Sequence, residues 1–216
     1  MRRKERYEYV LSYFSSQMPV ATTELEFASP FQLLVATMLS AQCTDKRVNM
    51  VTPDLFRQFP DAKSMADTTP EEVYEYIRSV SYPNAKAAHL VDMARLLMSN
   101  FQGEVPREMN ELTSLPGVGR KTANVVRAVA FGLPAMPVDT HVYRVSHRLG
   151  LVARNADTPQ KVEEELLRNI PSDLVSTAHH WLILHGRYIC KSTSPQCGEC
   201  PFDNVCPKIM KGSKLG

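Results

Sequence analysis

Apolar residues recur at three- and four-residue intervals along most of the chain. No stretch alternates with the period of a strand, so the pattern predicts an all-α fold. Ser29-Pro30 offers an N-cap followed by proline at the first helical position, ahead of Phe31, Leu34, Val35, Met38 and Leu39. Thr69-Pro70-Glu71-Glu72 fits a capping box, with Val73 and Ile77 on the face to be buried. Ala87, Leu90, Val91, Ala94, Leu97 and Met98 form another stripe. Thr158-Pro159 opens a helix carrying Val162, Leu166 and Ile170, and Ser172 is the expected cap of one carrying Leu174, Ala178, Trp181 and Leu182. Pro53 interrupts the segment Asp45 to Gln58 and predicts a kink or break there. No repeat or low-complexity segment is visible.

The 216 residues are 44% hydrophobic and 22% charged, a balance that supports a buried core and excludes disordered and fibrous classes. No apolar run approaches the roughly 20 residues of a membrane span. The basic start, Met1 to Arg6, is not followed by the apolar stretch of a secretory signal. The expected compartment is the cytoplasm, with nucleoid association in a bacterium. The ending from Lys208 to Lys214 reads as a frayed basic tail.

Charge sharpens this picture by its distribution. The net value is only +2, yet Leu112 to Arg154 holds six basic residues (Arg120, Lys121, Arg127, Arg144, Arg148, Arg154) against the single acid Asp139. Asn155 to Asp173 reverses the balance, with two basic residues and five acids. Such asymmetry suits a surface facing a polyanion, although solvated helix faces give the same pattern.

Within the basic stretch, Leu115-Pro116-Gly117-Val118-Gly119 reads as a tight turn in which glycine supplies positive φ. The helix expected from Arg120 to Phe131 puts Ala123, Val125, Val126, Val129 and Ala130 on one side and Arg120, Asn124 and Arg127 on the other. A glycine turn opening a helix presents backbone N–H groups and the positive dipole end, a cradle for phosphate. Lys121 stands in the first turn, where acids are favoured. The dipole and Arg120 both disfavour a charge there. That suits a nucleophilic amine, and burial would suit it further, whereas a phosphate-binding lysine keeps its proton. Asp139, in Val138-Asp139-Thr140-His141, reads both as an N-cap and as a carboxylate for a cationic transition state.

Four of the five cysteines are bunched as Cys190-x6-Cys197-x2-Cys200-x5-Cys206, which reads as one metal site. Disulfides are the alternative, and nothing in the sequence points to an oxidising compartment. Four thiolates suit zinc or an iron–sulfur cluster; the single Cys-x-x-Cys pair leans toward iron–sulfur. Cys43 reads as a small buried residue, and His179, His180 and His185 as packing or hydrogen-bonding residues.

Four segments together resemble the endonuclease III family of helix-hairpin-helix DNA glycosylases over nearly the whole chain. They are Leu39-Ser40-Ala41-Gln42-Cys43-Thr44-Asp45, Leu115 to Ala123, Val138 to His141, and His180 to Tyr188 running into the cysteines. The resemblance implies two helical domains with the active site between them. Residues 22–133 would form a helical barrel containing the hairpin, and 1–21 with 134–216 a domain holding one four-iron–four-sulfur cluster on Cys190, Cys197, Cys200 and Cys206. It further implies a bifunctional glycosylase and abasic-site lyase of base excision repair. Such an enzyme removes oxidised pyrimidines from double-stranded DNA and cuts abasic sites, acting as a monomer with no membrane partner. Lys121 matches the family's nucleophile and Asp139 its carboxylate. Gln42 matches a residue filling the space of the flipped nucleotide. The DNA contacts implied are Gln42, Tyr82, Leu115, Gly117, Val118, Gly119 and Arg120, with Asp45 and His141 in the substrate pocket.

One segment departs from the pattern. Where the family often carries Gly-Leu-Tyr-Asn before a Lys-Ala pair, this chain has Ser81-Tyr82-Pro83-Asn84-Ala85-Lys86-Ala87, so the wedge identity is open. Adenine-mismatch relatives resemble the chain through the cysteines but typically lack the lysine at 121. Thymine-mismatch relatives differ only at scattered pocket positions. A non-catalytic DNA-binding protein would not need Lys121 together with Asp139.

Overall fold

The computed structural model describes residues 1–208, where it places eleven α-helices, a short 3-10 turn at Cys197–Glu199 and no strands. The expected basic tail lies outside the described residues from position 209 onward. No helix among the described residues is long and apolar enough to cross a membrane. The chain divides into two compact units, Thr23–Leu133 and Met1–Thr22 with the chain from Pro134 onward.

The first unit holds seven helices. They are α2 (Pro30–Leu39), α3 (Asp45–Gln58), α4 (Ala62–Ala66), α5 (Pro70–Ile77), α6 (Pro83–Phe101), α7 (Met109–Ser114) and α8 (Arg120–Phe131). Their starts are locally encoded. The Ser29 side chain accepts from the Gln32 N–H, and Thr69 forms a reciprocal box with Glu72. Helix α6 packs against α2, α4 and α5, and α8 against α2 and α7. One core results, with Leu34, Leu39, Leu55, Ile77, Leu90, Leu97 and Val126 inaccessible to solvent. Of the predicted kink or break at Pro53, the break does not occur: α3 continues through the proline. Val48, Thr52 and Leu55 anchor the buried side on both flanks of the proline, and that packing outweighs one missing backbone bond.

The second unit is built from α1 (Arg3–Gln17), α9 (Thr140–Arg148), α10 (Pro159–Asn169) and α11 (Val175–Tyr188). Tyr7, Val10 and Phe14 of α1 enter its core, and Phe14 stacks on Trp181 of α11 at 5.6 Å between centroids. The Trp181 indole N–H donates to the Met18 carbonyl at 2.7 Å, tying α11 to the end of α1. Thr158 caps α10 as its sequence predicts. Ser172 does not cap α11: residues 172–174 form a turn in which the Leu174 N–H bonds the Pro171 carbonyl, and the helix begins at Val175 with Leu174 as cap. His179, His180 and His185 are buried, as packing roles require.

Candidate active site and cysteine centre

The turn before α8 is shaped by Gly117. Its φ is +75°, and a Cβ there would lie 2.9 Å from His89 Cβ and 2.9 Å from Met38 Cε, so glycine is required twice over. Gly119 adopts φ −89° instead, and a Cβ at this N-cap position would meet nothing within 4 Å. Its lack of a side chain leaves the helix entrance open. The Val118 N–H is used inside the turn, bonding the Leu115 carbonyl at 3.1 Å. Leu115 and Val118 bury their side chains in the core.

Among the described residues the N–H groups of Gly117 and Gly119 have no hydrogen-bond partner, and the α8 ladder starts only at Ala123 N–H to Gly119 O. Open amides at a helix N-terminus form an anion site. Arg120 and Lys121, both exposed, stand beside it. The burial that would further favour a neutral Lys121 is therefore absent in the free protein. Asn124 was expected on the open side of α8 but is 1% exposed, and neither its amide nitrogen nor its oxygen has a hydrogen-bond partner. The helix buries Ala123 through Val126, a wider face than the apolar positions alone indicate.

Asp139 caps α9 with one oxygen. Its Oδ1 accepts the N–H groups of His141 and Val142, both at 2.8 Å. Its Oδ2 lies 3.4 Å from His141 Nδ1, and both side chains are partly exposed. The cap fixes the carboxylate's direction while one oxygen stays available for other chemistry. Asp45, half-buried, occupies the first position of α3, which Thr44 caps by accepting from the Arg47 N–H at 3.2 Å.

Gln42 and Tyr82 are exposed and share a backbone feature. Both are non-glycine residues at positive φ, +54° and +55°. Tyr82 is 65% exposed. Cys43 is half-buried against the core of its unit, not fully buried.

The four bunched cysteines are unpaired thiols that line one small pocket together with Arg148, His185 and Ile189. Three groups hold this segment in place. Arg148 Nη1 donates to the Lys191 carbonyl at 2.6 Å and reaches Cys190 Sγ at 3.6 Å, and its Nη2 donates to the Ser192 carbonyl at 2.9 Å. Arg144 donates to the Cys190 and Gly186 carbonyls. Phe202, between the third and fourth cysteines, is wholly buried against Phe14 (5.0 Å), Tyr13 and His185. Sequence reading overlooked all three. The available signals were two arginines four apart on one helix face and a lone aromatic inside a polar cysteine loop.

Four thiols lining one pocket are a donor set that suits a thiolate-bound metal centre. Burial pushes the Cys200 and Cys206 thiols up, and the charges of neighbouring cysteines push further. Four thiolates held together here need cationic charge among them.

Residues 35–172 match the family model described as HhH-GPD superfamily base excision DNA repair protein. Endonuclease III of Bacillus subtilis is 44% identical, covering 100% of this chain and 98% of that protein. The Escherichia coli protein of that name is 42% identical over 95% and 96%, and the Rickettsia conorii one 46% over 91% and 93%. A solved structure of a trapped endonuclease III–DNA covalent intermediate superposes with a TM-score of 0.90 at 45% identity, covering 96% of this chain and 97% of that one. A thermostable thymine-DNA glycosylase shares the fold, with a TM-score of 0.84 at 22% identity over 95% of each chain. On this similarity of sequence and fold, the chain belongs to the endonuclease III family of HhH-GPD base excision repair enzymes and is a DNA glycosylase/lyase.

Proposed function

We propose that this enzyme removes oxidised pyrimidines from double-stranded DNA through a lysine Schiff base and cuts the strand 3′ of the abasic site. The observation that carries this reading is the α8 entrance. Unbonded amides on a glycine turn suit a phosphate, and Lys121 stands exposed one residue into the helix behind them.

A base inside a duplex is beyond reach of a side chain, so the damaged nucleotide is first rotated out of the stack. Gln42 and Tyr82 are the residues assigned to the gap left behind. The neutral Lys121 amine attacks the sugar C1′ as the glycosidic bond breaks and its electron pair leaves with the base. Positive charge grows on the sugar in that step, and the Asp139 carboxylate stabilises it. The C1′ adduct opens to an iminium. This acidifies the C2′ proton; once it is removed, the C3′–O bond breaks and the 3′ phosphate departs. Asp45 and His141 are assigned to the base pocket, and Leu115 to Arg120 to the phosphate.

Cys190, Cys197, Cys200 and Cys206 would hold one four-iron–four-sulfur cluster, which supplies a rigid cross-link to the fold and no step of the reaction. Arg144, Arg148 and Phe202 set the loop that carries these thiols, and Lys191 on it faces solvent as a phosphate contact. The protein acts as a monomer in the cytoplasm or on a nucleoid.

The test is a panel of duplexes bearing single lesions, scored for base release and strand cleavage. Release of oxidised pyrimidines coupled to 3′ cleavage supports the reading. Release confined to mismatched adenine or thymine, or none at all, overturns it.

A further inference from the structure

Three exposed non-glycine residues in the Thr23–Leu133 unit lie in left-handed backbone: Gln102 at φ +55° ends α6, a usual place for that conformation, while Gln42 at φ +54° and Tyr82 at φ +55° lie in two turns. Each such residue costs about 1–3 kcal/mol and persists only where its surroundings impose it. Neither side chain repays the strain, since Tyr82 is 65% exposed and Gln42 is exposed with no side-chain hydrogen bond among the described residues.

What imposes the geometry is a pair of polar links between the turns. Ser81 Oγ–H donates to the Gln42 carbonyl at 2.6 Å. The Lys86 ammonium donates to the Leu39 carbonyl at 2.8 Å and the Ala41 carbonyl at 2.7 Å. Lys86 sits in the first turn of α6 and its N–H bonds the Tyr82 carbonyl at 3.1 Å, so one residue grips both turns. It is only 8% exposed, and no carboxylate pairs with it among the described residues. An unpaired buried ammonium is costly, and replacement by an apolar chain would strand two carbonyls. Its placement suits the α2 C-terminus, where carbonyls lack helical partners and the dipole favours a cation.

We infer that Lys86 and Ser81 are positioning residues that clasp the Gln42 turn to the Tyr82 turn, so that both residues enter a duplex as one preset unit. The inference rests on the glycosylase reading and extends it to two residues to which that reading gives no DNA contact. Holding both turns in advance removes the ordering cost of insertion, which would otherwise weaken binding to flipped-out DNA.

The test uses the full-length protein and a duplex carrying a tetrahydrofuran abasic analogue, with 2-aminopurine opposite it reporting the base left without a partner. Ser81→Ala should weaken binding to this duplex by about fivefold, the loss of one hydrogen bond. It should also lower the 2-aminopurine signal while leaving undamaged-duplex binding and the melting temperature unchanged. Ser81→Thr, which keeps the hydroxyl, should restore both. The Ser81→Ala/Gln42→Ala double variant should lose less than the product of the two single losses, because part of the clasp's effect is exerted through the Gln42 side chain. Lys86→Met should show the same losses, and if it unfolds the Ser81 variants still decide. Multiplicative losses in the double variant, or an unchanged signal in Ser81→Ala, overturn the clasp. Failure of the wild type to prefer the abasic duplex overturns the glycosylase reading beneath it.

Discussion

Asp139 gives its Oδ1 to the backbone of α9, accepting the Val142 N–H at 2.8 Å, and keeps Oδ2 free of the cap. The two oxygens thus have separable duties. Asp139→Asn retains a capping oxygen and removes the charge, so base release should slow by about 10²–10³-fold with an unchanged melting temperature. Asp139→Ala should lose the cap as well, costing about 1 kcal/mol of stability. Single-turnover base release and thermal melting on the same preparations separate the effects. A near-normal rate in Asp139→Asn would reduce the residue to a cap.

Gly117 and Gly119 should respond differently to the same change. Gly117→Ala puts a Cβ 2.9 Å from His89 and Met38 at φ +75°, so it should destabilise the protein by about 1–3 kcal/mol. Gly119→Ala meets nothing within 4 Å at φ −89° and should leave melting almost unchanged while weakening DNA binding, since its methyl group crowds the phosphate. Equal melting losses would contradict the geometry. Unchanged DNA affinity in Gly119→Ala would remove the phosphate from the α8 entrance.

His180 makes stability depend on pH. Burial pushes its imidazole down to about 4 from the ordinary 6.5. Between those values the unfolded chain takes up a proton that the folded chain refuses. The folded state therefore keeps its full stability above pH 6.5 and loses it as pH falls toward 4, by about 3 kcal/mol in all. His180→Gln should flatten that part of the stability profile relative to wild type. Parallel profiles would show that His180 does not carry the effect.

Purified protein made with ample iron should be brown and hold about four irons per chain. Cys200→Ser should lower iron content and melting temperature together, because metal binding at such sites contributes to folding. Phe202→Ala, which removes a wholly buried aromatic, should cost about 3–5 kcal/mol and hasten iron loss from the same loop. Zinc as the only bound metal would overturn the cluster assignment.

The parts of this molecule legible in the sequence are those that a few neighbouring residues decide. Ser29, Thr69, Thr158 and Asp139 cap helices where their residue types and following positions indicate. The glycine turn and the cysteine spacing are likewise local. What escaped depends on distant partners. Helix α1 has little polarity contrast of its own and is placed by Phe14 meeting Trp181 and Phe202. Asn124 is buried because the packed face of α8 spans it. Pro53 fails to break α3 because residues on both sides of it are anchored. Nothing local to Lys86 shows that its ammonium reaches the carbonyls of Leu39 and Ala41, more than forty positions earlier.

In the proposed reaction Lys121 becomes covalently joined to the sugar. Borohydride reduction of the protein mixed with abasic duplex tests it, with the cross-linked peptide identified by mass spectrometry. Wild type should be trapped through Lys121, and Lys121→Gln should give no trapped complex while still binding the duplex through the amides at the α8 entrance. Undiminished trapping in Lys121→Gln, or a cross-link mapped to another residue, would contradict the account.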